Sequence, residues 1–182
     1  MQPNNSFQPM SGSSLRSSSA AAELILPRSP VRYVTTLILL LALASATLAG
    51  AWGAGSFEND DALDWVSELI DEADTGLVYI TLEEARSQPY LEAPTASSAV
   101  AAAEAVAAML GHPSPALPPD LESWLQRHKQ RPTATQLALA RDVMKRVLDV
   151  KVSELAQLWA KEDAAKWRDA IGKLLDRLDT KE

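Results

Sequence analysis

The 182-residue chain is 47% hydrophobic, enough for one domain with a buried core. Its 24 acidic and 17 basic side chains give a formal net charge of -7, which argues against a nucleic-acid partner, because phosphate binding needs clustered Lys and Arg. The absence of cysteine excludes disulfides, thiolate zinc sites and thiol nucleophiles, and His112 and His128 are too few for a multi-histidine metal site in one chain.

Residues 2–22 are rich in Ser, Asn, Gln and Pro, with almost no large apolar side chain. Such a segment cannot bury enough surface to offset its ordering entropy, so residues 1–30 read as a disordered tail. From Val34 to Phe57 no residue is charged, Arg28 and Arg32 precede the apolar run TLILLLALASATLAG, and small residues follow. That is the three-part layout of a secretory signal peptide, with Ala44-Ser45-Ala46 and Thr47-Leu48-Ala49 as cleavage sites. The competing reading of residues 31–49 is an uncleaved transmembrane helix, although the strongly apolar part is shorter than the roughly 20 residues a span needs. A third reading is a buried helix of a soluble protein; in the first two the arginines hold the N-terminus in the cytoplasm and the domain is exported. Cleavage makes it periplasmic or secreted; without cleavage, residues 34–49 anchor it in the inner membrane. A leader of this length is long beside the usual span of about 15–30 residues, and a start at Val31 would shorten it.

Residues 50–182 predict an acidic all-α domain, a compact array of about six helices. Asn59 or Asp60 caps the first helix, and Ala62, Val66, Leu69, Ile70 and Ala73 recur on its apolar face until Gly76 ends it. Asp61, Asp64, Glu68, Asp71 and Glu72 take the other side. GLVYIT, residues 76–81, is β-prone but too short and isolated to promise a sheet. Thr81 and Glu84 form a capping-box pair for a brief helix that runs to about Ser87. Residues 90–95 look extended, and Ser97 or Ser98 opens the alanine-rich helix AVAAAEAVAAML, which closes at Gly111. This is the expected central helix, with Glu104 its one charge. Asp120 caps a short helix carrying Leu121, Trp124 and Leu125. Thr133 starts another, with Leu137, Ala140, Met144, Val147 and Leu148 on one face. A short helix follows around Ser153 to Lys161, and the last helix places Ala164, Trp167, Ile171, Leu174 and Leu178 in a bundle seam.

GAWGAGSFENDDALDW, Gly50 to Trp65, resembles the opening of an uncharacterised bacterial family, domain-of-unknown-function family 4259. YLEAPTASSAVAAAEAVAA, Tyr90 to Ala108, and SELAQLW, Ser153 to Trp159, are similar to it as well. The resemblance implies a small helical bacterial protein and supplies no activity. Members of that family usually begin at the Gly-Ala-Trp-Gly motif directly after Met, whereas here a leader precedes it, which favours cleavage after Ala49 over Ala46.

No Ser/His/Asp arrangement can be named, and no catalytic residue, metal site or cofactor is assigned. Glu58, Asp60, Asp61 and Asp64 are the densest carboxylate group. They lack the alternating ligands and Gly of a calcium loop, and favourable charge at a helix N-terminus explains them. Trp52 and Phe57 flank a Gly-rich stretch without the Lys and Ser/Thr of a phosphate loop, so the aromatics are expected to pin this segment onto the helices. Glu104 is a buried carboxylate suited to acid/base chemistry, a partly exposed Glu, or one paired with an Arg of the basic C-terminal half.

Charge is unevenly distributed. Residues 50–104 hold twelve acids and Arg86 as the one base, against thirteen bases and eleven acids in residues 105–182. The bland reading is a first helix facing solvent or the chain's own basic helices. The functional reading is an exported, non-enzymatic interaction module of the inhibitor or immunity type, with Asp61, Asp64 and Glu68 as its contact face for a basic protein. Two alternatives stand beside it: an envelope hydrolase using Asp60, Asp61, Asp64 and Glu104, and a purely structural envelope protein.

Overall fold

A computed structural model describes residues 53–179. The tail, signal-peptide and anchor assignments, and Trp52, lie outside the described residues. Seven helices form among the described residues, and no strand does. No helix among them is long and apolar enough to cross a membrane.

Helix α1 (Asp60–Asp71) starts where the Asn59 side chain accepts the Ala62 amide at 2.8 Å. It buries Ala62, Trp65, Val66 and Leu69. It does not continue to Gly76: Glu72 turns extended, its amide bonded to the Leu69 carbonyl. Gly76 instead opens helix α2 (Gly76–Ser87), so the β-prone run GLVYIT is helical. Packing overrides local propensity here, because Val78, Thr81, Leu82 and Ala85 are buried together at helical spacing. Thr81, expected as a cap, sits mid-helix. Its hydroxyl donates to the Leu77 carbonyl at 2.9 Å and accepts from the Trp65 indole at 2.8 Å, joining α2 to α1.

Helix α3 (Ala93–Met109) starts a turn earlier than Ser97. Pro94 fits its first turn, where a missing N–H needs no partner. The Ala93 amide is met by the Glu154 carboxylate at 2.9 Å, a cap from 61 residues away. At the far end Gly111 takes φ 89, and the amides of Gly111 and His112 bond to the carbonyls of Ala108 and Ala107, as a Schellman motif requires. From Ala96 to Ala107 every residue except Ser98 is buried.

Helix α4 (Pro119–Arg127) is entered from Pro118, with Asp120 in its first turn rather than at its cap; Leu121, Trp124 and Leu125 are buried as expected. Helix α5 (Ala134–Val147) carries a full capping box of Thr133 and Gln136. Its buried stripe is Leu139, Ala140, Val143, Met144 and Val147, with Leu137 and Leu148 half-buried beside it. Ser153 caps helix α6 (Glu154–Ala160), and helix α7 (Ala164–Asp179) buries Trp167, Ile171, Leu174 and Leu178 as its seam predicts.

The alanine-rich α3 packs against all six other helices. Nine of its seventeen side chains end at Cβ, so neighbouring backbones can come close. A parallel bridge pairs Leu91 with Ser153, holding the α2–α3 linker against the start of α6. Arg146 of α5 donates to the carbonyls of Gln88 and Pro89 at the end of α2.

Because Ala102 is fully buried with helices on all sides, Ala102→Leu is expected to overpack the centre. It should cost about 1–3 kcal/mol, read as a lower urea midpoint at unchanged slope.

Candidate functional site

The segment before α1 folds back on itself. Phe57 and Ala54 are buried in the core, as the pinning reading expected for Phe57. The Glu58 carboxylate curls over the glycines and accepts the Gly55 amide at 2.7 Å. A Cβ on Gly53 would lie 2.1 Å from that carboxylate, and one on Gly55 2.9 Å away. An anion of the chain itself thus occupies the turn amide that a phosphate loop would offer.

Beside this turn is a cavity of about 400 Å³. The turn, the first residues of α1, α3 and α6, and the buried side of α7 enclose it. Asp60, Asp61 and Glu154 supply its charge, Leu155 and Ile171 its aliphatic wall, and Trp159 and Trp167 its aromatic surface. The two indoles lie nearly parallel, at 7° with centroids 6.4 Å apart. Among the described residues no Lys or Arg lines the cavity.

Asp61 is half-buried on this wall. Burial first, then the charges of Asp60 and Asp64, push its carboxyl up from the ordinary aspartate value. Asp64 and Glu68 are exposed on the solvent side of α1, outside the cavity wall. Of the three residues expected at a contact face, two are therefore on open surface and one is shared with the cavity.

Glu104 lies behind the wall, 1% exposed. Arg177 of α7 grips it with both terminal nitrogens, at 2.6 and 2.7 Å, and also donates to the His112 carbonyl at 3.3 Å. Ser56, on the cavity wall, donates to the same carboxylate at 2.7 Å. Glu104 is therefore not the partly exposed residue that was one of its readings: it is buried and paired with an arginine. Four carboxylates were named for hydrolysis. Asp60 and Asp61 line the cavity, Asp64 faces solvent, and both Glu104 oxygens are engaged by Arg177.

His112 closes the end of α3, and the His128 ring stacks on Trp124 with its Nδ1 2.8 Å from the Trp124 carbonyl. Among the described residues no group of three His, Asp or Glu side chains is arranged to hold a metal. A second hollow of about 680 Å³ lies beyond the end of α3, with Met109, Leu110, Leu117 and Leu125 in its wall.

Sequence reasoning missed Ser56, Ser97, Glu154 and Arg177, and read Trp159 and Trp167 only as core. The heptad-like spacing of the last helix signalled burial of Trp167. Nothing local signals that α6 and α7 bring both indoles to the acidic start of α1.

Residues 50–170 match the model of a family described as a domain of unknown function, DUF4259. No curated protein and no solved structure matches the chain.

Two outcomes are expected of the charged groups. Glu104→Ala or Arg177→Ala leaves a buried charge unpaired and should cost about 3–5 kcal/mol in chemical denaturation, whereas Glu104→Met with Arg177→Leu should recover most of that loss. Asp61 has a folded-state pKa above its unfolded value, so the folded state holds its proton more tightly and stability falls as pH rises through that range. Asp61→Asn should therefore raise Tm at pH 7 by about 1–2 °C, a small effect because the side chain is partly in water. The difference from the parent should close as pH is lowered below the ordinary aspartate range.

Proposed function

The chain belongs to the DUF4259 family, and we propose that it is an exported, non-enzymatic interaction module that docks a basic protein through the acidic face of α1. One observation carries this reading. Asp60, Asp61, Asp64, Glu68 and Asp71 stand on one short helix, and among the described residues none of them forms an ion pair.

Five of the chain's bases form ion pairs among the described residues, none of them with α1. Arg86 pairs with Glu83, Arg141 with Asp179, Lys145 with Asp142, Lys173 with Asp169 and Arg177 with Glu104. The basic helices α5 and α7 therefore do not neutralise α1. Like charges crowded on one helix repel one another, and the helix N-terminus relieves only those of the first turn. A basic partner removes the remaining repulsion on contact and is drawn in by the same field.

The opposed charges would act mainly on association rate and salt dependence. Replacing Asp61, Asp64 and Glu68 by Lys should lower the association rate of the captured partner by roughly tenfold or more at low salt, and raising ionic strength should slow the parent similarly. The check is capture by the full chain from an envelope extract, followed by surface-binding kinetics. A partner retained equally by the triple variant would remove the acidic face from the interaction.

A further inference from the structure

We propose that the cavity at the start of α1 is an arginine pocket, which takes the guanidinium of one side chain projecting from the basic partner. The proposal rests on the docking reading above and deepens it: the open face attracts, and the cavity fixes the register.

The lining selects the charge. Asp60, Asp61 and Glu154 meet there, and among the described residues no base joins them. One oxygen of Glu154 is held by the Ala93 amide, and the other accepts no hydrogen bond among the described residues. The Ser97 hydroxyl supplies an independent sign of a ligand. It lies on the cavity wall, the residue is 4% exposed, and among the described residues it has no hydrogen-bond partner. The oxygen is not sealed within the core, so its unused bonding capacity is open to the cavity side.

The shape selects arginine. A guanidinium is planar, offers donors in a fork that fits carboxylates, and is weakly enough hydrated to leave water. Its face stacks on indole, and Trp159 and Trp167 present nearly parallel rings. The aliphatic stem would lie along Leu155, Leu158 and Ile171. A lysine ammonium satisfies the charge but neither the fork nor the stacking. Burial and neighbouring negative charge already push the Asp61 carboxyl up, and a cation beside it would reverse that push.

The position selects a protein-borne arginine. Asp61 belongs both to the exposed face of α1 and to the cavity wall, so the pocket opens within the field that draws the partner in.

The test titrates the ¹⁵N-labelled full chain with N-acetyl-arginine amide and, separately, with the uncharged isostere N-acetyl-citrulline amide. Saturable shifts are expected at the Trp159 and Trp167 indole N–H resonances with the arginine probe, while those of Trp65 and Trp124 stay put. The citrulline probe should bind at least tenfold more weakly, and Asp61→Asn should weaken the arginine probe at least fivefold. No saturable shift, equal binding of the two probes, or indifference to Asp61→Asn would overturn the pocket. Asp64→Lys with Glu68→Lys, both outside the wall, separates the two proposals. Probe binding that persists in this variant supports the pocket even if partner capture is also unchanged, which would sink only the docking face. Lost capture in a chain whose parent never binds the probe overturns the pocket and leaves the face standing.

Discussion

The structure depends on how closely helices can approach α3. A helix in which nine of seventeen side chains stop at Cβ contributes little apolar area of its own, so it gains its place by letting larger residues of its neighbours reach one another across it. Leu69, Leu82, Met144, Ile171 and Leu174 come from four different helices, and all are fully buried or nearly so. The arrangement fixes the radius at which every other helix sits. It also explains why the centre tolerates one carboxylate: Glu104 reaches out of the alanine surface to the place where Arg177 and Ser56 meet it.

The cavity follows from the same geometry. Around α3 the other helices close tightly except where the turn before α1 replaces a helix. There Ala54 and Phe57 fill part of the space, and the remainder is walled by α6 and α7. Three polar ties frame it. The Leu91–Ser153 bridge and the Glu154 cap on Ala93 hold α6 to the start of α3, while Ser56 ties the turn to the buried ion pair. The site is thus built where the fold's largest chain separations come together.

That geometry also divides what could be read in the sequence from what could not. The helix start at Thr133, the short helix from about Ser153, the glycine stop at Gly111 and the seam of α7 were legible because each is set by residues within a turn or two. The start of α3 was misplaced because its cap is a glutamate 61 residues later. GLVYIT misled because β-branched and aromatic residues were judged alone, whereas α3 and α5 bury one helical face of the segment. The acidic face was visible as composition. Its lack of internal counter-ions was not, since that depends on which bases the other acids engage.

The buried pair has a further consequence in time. Glu104 and Arg177 are separated by 73 residues, and Arg177 belongs to the last turn of α7. At about 5–20 residues per second, synthesis takes roughly 4–15 s to pass from one to the other. Throughout that interval the central helix carries a carboxylate that cannot be buried without its partner. The nascent domain is thereby held short of its final packing until α7 has been made.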